Sequence, residues 1–395
     1  MPLLADRTKA FDSSGIRKVF DLAAKMKDPI NFSIGQPDFD VPDQIKDACI
    51  DAIRAGKNAY TVTQGLPALR EKLKAKIDQQ FGHSDRKVLV TLGTSGALSL
   101  VMWSLVNPGD EVLMFDPYFV MYPALTKLVG GVPVIVDTNP DFRIDLNKVA
   151  AAITPKTKLI LLNSPGNPTG VVATEAEVRG LAQLAAEKNV TLLSDEIYSA
   201  FCFDEPSRSR LPGGTSVAVE VQLTGQGPAR QAGPTSLTPA SFNPRTLVID
   251  GFSKSHGMTG WRLGYIHGPS EIIETMTKLQ QYTFVCAPQP VQWAGALAMD
   301  VPMDQYVADY KRKRDLIYSG LADKYEVIKP GGAFYIFPKA PRGMRGTEFV
   351  TKAIENNVLI IPGNIFSQHD THFRIAYAAP DSTIERGIEV LRKLA

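Results

Sequence analysis

Across residues 87–268, short β-rich runs alternate with stretches of helical character, and this alternation limits the possible folds more than any other feature of the chain. KVLVTLG leads into a helical stretch at 95–106, EVLMFD into 119–129, VPVIVD into 145–152, and TKLILLN into 174–188. TLLSDE, TLVIDGF and RLGYIHG then follow as further strand-like runs. Apolar runs of this length separated by helices predict βαβ units around a wide, largely parallel sheet that is buried on both faces. The fold class is therefore α/β: a large domain with a mostly parallel seven-stranded sheet flanked by helices, plus a smaller α+β domain assembled from both chain ends. The second part is expected because the pattern changes past Glu271 to longer helices. These are followed by YEVIKPGGAFYIFPKA, a helix near 348–357, VLIIPG, FRIAYA and a closing helix. The expected boundaries are 46–290 for the large domain, and 1–45 with 291–395 for the small one, the N-terminal arm NFSIGQPDF joining the latter.

At 395 residues the chain is long enough for two such cores. Its 44% hydrophobic and 21% charged residues are ordinary globular proportions, and no apolar stretch reaches membrane-spanning length. Forty-three basic against 41 acidic residues leave a formal charge of +2, too weak a field to recruit nucleic acid or an anionic membrane. A small-molecule ligand is the better expectation. Cys49, Cys202 and Cys286 show no metal-type or redox-type spacing, so no metal is expected, and an odd count suits a reducing compartment. The opening MPLLADRTKAFDSSG carries charges where a signal peptide would be apolar, which favours the cytoplasm. The segment 206–243, with five Gly, five Pro and no Lys, reads as a peripheral insertion loop whose VAVEVQL centre has strand character.

Open α/β sheets bind ligands at the carboxyl ends of their strands, so polar residues just after apolar runs are the candidates for chemistry. In VTLGTSGAL, Thr94, Ser95 and Gly96 open a helix after a strand and form a seat for a phosphate, although the spacing is not that of a P-loop. Tyr118 in FDPYF offers an aromatic face to a planar ligand, and NSPGNPTG displays Asn167 on a proline-fixed turn. TLLSDEIY carries Asp195 into the interior, where a carboxylate needs a cation, with Tyr198 three residues on. VIDGFSKSHGMTGWRLGY delivers Ser253 and Lys254 to a strand end and places Arg262 eight residues later. An interior lysine can lose its proton and act as nucleophile and base, and an arginine can grip a phosphate bidentately.

Taken together, NPTG, DEIY and SK followed by R at eight residues resemble the fold-type I pyridoxal-phosphate enzymes, specifically the class I aminotransferases of the aspartate aminotransferase superfamily. The resemblance runs from about Ser14 to the C-terminus, with 206–243 outside it. It implies pyridoxal 5'-phosphate as cofactor, carried by Lys254 as a Schiff base, with Asp195 on the pyridine nitrogen. Asn167 and Tyr198 would bind the phenolic oxygen and Tyr118 would stack on the ring. Thr94, Ser95, Gly96, Ser253 and Arg262 would hold the phosphate. Tyr60, in NAYTVTQGLPALR, resembles the tyrosine that reaches the neighbouring subunit's phosphate, which implies a homodimer. Arg374 in HFRIAYA would clamp the substrate carboxylate, helped by Asn167 and the backbone at Gly35. The implied reaction moves the amino group of an L-amino acid to a 2-oxo acid in two half-reactions, with Lys254 shuttling the proton.

β-Elimination from a sulfur amino acid and cyclopropane-forming synthase chemistry use the same scaffold, so fold alone does not choose the reaction. A cofactor-sensing regulator would need a DNA-binding helix-turn-helix, for which no room is expected before Ser14. Some bacterial aspartate aminotransferases place a lysine where this chain has Ser95, facing the substrate's side-chain carboxylate. Arg17 is the hypothetical substitute, and aspartate, aromatic and neutral donors all stay open.

Overall fold

The computed structural model describes residues 3–9, 26–82, 85–203 and 237–395. Ser14, Arg17 and positions 206–236 of the insertion lie outside the described residues. Apart from a two-residue first strand, β1 (Ile30–Asn31), the early strands all belong to one sheet. They are β2 (Arg86–Leu92), β3 (Glu111–Asp116), β4 (Val132–Asp137), β5 (Thr157–Asn163), β6 (Thr191–Asp195), β7 (Leu247–Gly251) and β8 (Leu263–Pro269). Their spatial order is β2-β8-β7-β6-β5-β3-β4. β8 runs antiparallel to both its neighbours, and every other pair is parallel. The mixed α/β architecture with a mostly parallel seven-stranded sheet is thus the expected one.

The sequence makes this sheet for a physical reason. Leu159 to Leu162 in β5 and Leu192 to Asp195 in β6 are buried on both faces, which requires helices above and below. Those helices are α1 (Asp43–Arg54), α2 (Pro67–Phe81), α3 (Gly93–Leu105), α4 (Met121–Leu128), α5 (Leu146–Ala152) and α6 (Glu175–Glu187). Beyond the insertion come α7 (Phe252–Ser255), α8 (Ser270–Thr283) and α9 (Gln289–Ala298). Local signals set their starts: Thr174 and Glu177 form a reciprocal capping box at α6. Gly93, at φ 65°, turns the chain straight from β2 into α3. The register that sets Asn163 opposite Asp195, and Asp195 opposite Ile249, brings the carboxyl ends of β5, β6 and β7 side by side.

The remaining strands are shorter. β9 (Tyr335–Ile336), β11 (Ile361–Pro362) and β12 (Phe373–Ala376) form an antiparallel sheet in the order β11-β12-β9, while β10 (Val358–Leu359) pairs in parallel with β1. Of YEVIKPGGAFYIFPKA only two residues are strand, since Pro330 and Pro338 bring no N–H to a ladder. Helices α10 (Asp304–Leu321), α11 (Gly346–Glu355) and α12 (Asp381–Leu394) pack on these strands around Phe32, Phe334, Phe349, Phe373 and Leu391. Ala376 N–H donates to the Phe32 carbonyl at 2.9 Å, so the N-terminal arm is stitched to the last strand. At the other end of the insertion, only a 3-10 turn at Pro239–Ser241 is described before β7. Among the described residues, no helix is long and apolar enough to cross a membrane.

Candidate active site

The site begins where β2 gives way to α3. The first N–H groups of a helix have no acceptor within it, and here they belong to partly exposed Thr94 and Ser95 and buried Gly96. Arg262, in the left-handed region at φ 56°, brings its guanidinium against the same turn, so a Cβ on Gly93 would stand 2.5 Å from Arg262 Nη2. On β8, a Cβ on Gly264 would fall 2.7 Å from the Gly93 carbonyl carbon and 2.8 Å from the Thr94 nitrogen. Only glycine at 264 lets the helix start lie this close to the sheet. Ser253 is buried next to Lys254. Exposed N–H groups, hydroxyls and a guanidinium that makes no ion pair among the described residues form a seat for a doubly charged anion.

One strand further into the sheet, Asp195 is 3% exposed and makes no ion pair among the described residues, the Lys254 charge acting on it only from a distance. It accepts from the Tyr122 hydroxyl at 2.8 Å and from the Ile197 N–H at 3.3 Å. Burial pushes its carboxyl up to about 6, against the lowering effect of those two donors. Lys254 is the complement: burial, then the nearby Arg374 and Arg262 charges, holds its amine down to about 8. Its Nζ donates to the Gly35 carbonyl at 2.6 Å. Asn167 is fixed by its N–H, which donates to Asn163 Oδ1 at 2.9 Å, while Asn163 Nδ2 reaches the Asp195 carbonyl at 3.0 Å. Tyr118 is half-buried, with its N–H tied to the Phe366 carbonyl at 2.7 Å.

The opposite wall comes from the smaller sheets and the N-terminal arm. Arg374 is 1% exposed, its Nη1 donating to Asn167 Oδ1 at 3.1 Å and its Nη2 to the Ser33 carbonyl at 2.7 Å. The guanidinium is sandwiched between the Tyr335 and Phe366 rings, 4.7 Å from each centroid. Tyr198 and Tyr335, both buried, share a hydrogen bond of 2.7 Å between their hydroxyls. Thus Lys254, Asp195, Asn167, Tyr198, Arg374 and Gly35 converge on one place, with Thr94, Ser95, Ser253 and Arg262 at its far end. Tyr60 stands apart, 83% exposed on a loop that Gln292 and Gln280 hold from beneath.

Sequence reasoning missed three contributors. Tyr122 lies in the first turn of α4, just after the end of β3, and its hydroxyl meets Asp195. Gly264 and Tyr335 carried no signal in the sequence, because their importance depends on which backbone or side chain the tertiary fold lays against them. The pieces fit one flat ligand: a ring nitrogen able to hold a proton opposite Asp195, a carbonyl carbon within reach of Lys254, and a phosphate on the α3 seat. Pyridoxal phosphate has all three, and the buried Asp195 carboxylate supplies the direct test of the fit, being an anion that makes no ion pair among the described residues.

Comparison with known proteins bears on the same point. The family model for aminotransferase class I and II matches residues 27–391. A probable aspartate aminotransferase of Methanocaldococcus jannaschii is 36% identical over 99% of this chain and 100% of its own length. An aromatic-amino-acid aminotransferase of Thermococcus litoralis is 32% identical over 99% and 98% of the two chains. The solved aspartate aminotransferase of Thermus thermophilus with maleate superposes with a TM-score of 0.86 at 30% identity, covering 100% of both chains. Likeness that runs the whole length of the chain, in sequence and in fold, makes this protein a member of the class I and II aminotransferases and hence a pyridoxal-phosphate-dependent transferase of amino groups.

Proposed function

We propose that Lys254 carries the cofactor and shuttles the proton, with Asp195, Asn167, Tyr198 and Arg374 as its partners, in transfer of an amino group from an L-amino acid to a 2-oxo acid. The observation behind this reading is the pairing of a buried carboxylate, without an ion pair among the described residues, with a partly discharged amine at neighbouring strand ends. When bound, pyridoxal phosphate supplies an electron sink for the carbanion left at the substrate Cα. Every other part of the work falls to the chain. Asp195 keeps the ring nitrogen protonated, because a cation there relieves the cost of its own buried charge. With the cofactor bound, Lys254 would be the group that accepts the substrate Cα proton at Nζ and gives it back; an amine held near 8 is both neutral often enough and basic enough for that.

Arg374 receives the substrate carboxylate. Each of its Nη atoms spends one N–H on Asn167 or Ser33 and keeps a second to offer. Asn167 Oδ1 is occupied by Arg374, which leaves its Nδ2 to donate to the cofactor's phenolic oxygen beside Tyr198. Tyr118 covers the ring, and Thr94, Ser95, Gly96, Ser253 and Arg262 hold the phosphate. The two relatives above are named for aspartate and for aromatic amino acids, so the donor is the finer question. With Ser95 on the phosphate seat, no basic side chain from that turn meets a substrate's second carboxylate.

The same reading makes the protein a homodimer in which Tyr60 reaches the neighbouring phosphate. In support, exposed Tyr60, Val62, Trp103, Tyr282 and Val285 form an apolar surface next to the α3 seat, linked by Trp103 against Phe284 and by Gln280 against Thr63. Three free cysteines agree with a cytoplasmic enzyme. The division into 46–290 and 1–45 with 291–395 is kept as a proposal, and limited proteolysis tests it. The decisive experiment is an absorbance scan of the purified protein with single amino acids added in turn. A visible band that one donor bleaches and a 2-oxo acid restores supports the reading and names the donor. A band that Lys254→Ala retains unchanged overturns it.

A further inference from the structure

We propose that Tyr335 is a positioning residue for the cofactor's phenolic oxygen: by donating its hydroxyl proton to Tyr198 it commits the Tyr198 proton to the ligand. The inference deepens the reading above and rests on its assignment of Tyr198.

The argument starts from proton counting. A phenol has one proton to donate and two lone pairs to accept with. The Tyr198 and Tyr335 hydroxyls meet at 2.7 Å, and among the described residues neither makes another hydrogen bond. Without a ligand the proton between them can point either way. A ligand oxygen carrying negative charge removes that freedom, since it accepts only if Tyr198 donates outward, and Tyr198 is then satisfied only if Tyr335 donates to it. Two donors in series polarise one another, so the outer bond is stronger than Tyr198 alone would make it.

The surroundings hold Tyr335 to this task. Its ring stands edge-on to Tyr198, with centroids 5.5 Å apart at 82°, and carries the Arg374 guanidinium 4.7 Å from its centroid. Burial pushes the Tyr335 hydroxyl up, and the positive charge beneath the ring works against that, leaving it a better donor than burial alone would. Any Cβ at Gly35 would collide with the Tyr335 hydroxyl, so glycine is what leaves room for it. Tyr335 pairs with Ala376 in the register of β9 on β12, two residues beyond Arg374, and so stands between the cofactor's oxygen and the substrate's carboxylate.

The test is a pH titration of the visible band of the resting holoenzyme in the parent, Tyr335→Phe, Tyr198→Phe and the double variant. A donor that stabilises the phenolic oxygen as an anion makes the neighbouring Lys254 nitrogen less basic, and losing it raises the midpoint. Tyr335→Phe is expected to shift the midpoint upward by about half a pH unit. Tyr198→Phe shifts it further, and the double variant no further than Tyr198→Phe alone. KM for the amino acid stays within about twofold, because phenylalanine keeps the ring under Arg374. A midpoint that moves in Tyr198→Phe but not in Tyr335→Phe overturns the proposal and leaves the reading of Tyr198 standing. If neither moves, both fail. A Tyr335→Phe shift that persists in full on the Tyr198→Phe background also overturns it, since Tyr335 would then act by another route.

Discussion

The two walls of the site face one another but are finished to different degrees. On the strand-end wall, among the described residues, Asp195 and Arg262 make no ion pair and the Lys254 amine donates to the Gly35 carbonyl. On the wall from the smaller sheets, Arg374 is already oriented by two hydrogen bonds and two aromatic faces, with N–H groups left to offer. Both walls bury charge without a counter-charge among the described residues, which is costly until something binds, but Arg374 is already oriented by neutral acceptors and rings. On the proposed reading, the cofactor would complete the first wall, and the second, already oriented, would take a substrate carboxylate with little rearrangement.

The sharpest way to break this contrast is at the amine. Lys254→Ala removes the proton carrier and is expected to lower turnover by more than ~10³-fold, read in a coupled assay for the keto product. Next is Arg374→Ala, which acts on the other wall: KM for both amino and oxo acids rises by roughly 100-fold, and the titration midpoint of the resting absorbance band moves upward because the Arg374 charge no longer holds the Lys254 nitrogen down. An unchanged midpoint would show that the Arg374 charge does not reach the Lys254 nitrogen. Gly264→Ala returns to the first wall, driving a methyl into the Gly93–Thr94 backbone, and should weaken cofactor retention about tenfold with little effect on KM at saturating cofactor. Dialysis followed by spectral titration measures it.

The smallest effect is a pH dependence of stability. The folded-state pKa of Asp195 is raised from 3.8 to about 6, so the folded apo-protein binds the proton more tightly than the unfolded chain. The sign follows: this group's contribution is fully favourable at low pH and is lost as pH rises through that window. Asp195→Asn should therefore flatten the fall in apo-protein melting temperature between these values. Cofactor, by supplying the missing cation, should stabilise the parent more than the variant above pH 6. Equal stabilisation of both would mean that Asp195 does not meet the ring nitrogen.

The same contrast explains what was readable beforehand. Lys254, Asp195, Asn167 and the Thr94–Ser95 seat each follow an apolar run directly, so the period of the strand itself exposes them. Full-length likeness to aminotransferases, rather than any residue spacing, decides the reaction among those the scaffold supports. Tyr335 lies in an unremarkable aromatic run, and its partners Tyr198, Arg374 and Gly35 come from three other parts of the chain. Such meetings leave no trace in local pattern. Arg17 and positions 206–236 lie outside the described residues, so the structure adds nothing to those two expectations.

By itself, the sequence determined the α/β class, because hydrophobic periodicity and turn residues act over a few neighbouring positions, and its resemblance to a known family implied the cofactor. Tertiary structure alone decided that β8 lies antiparallel between β2 and β7, that Gly264 backs the anion seat, and that Tyr335 joins Tyr198 to Arg374. Those choices depend on strand register and on contacts between distant segments, and burial of the whole core, not local propensity, selects them.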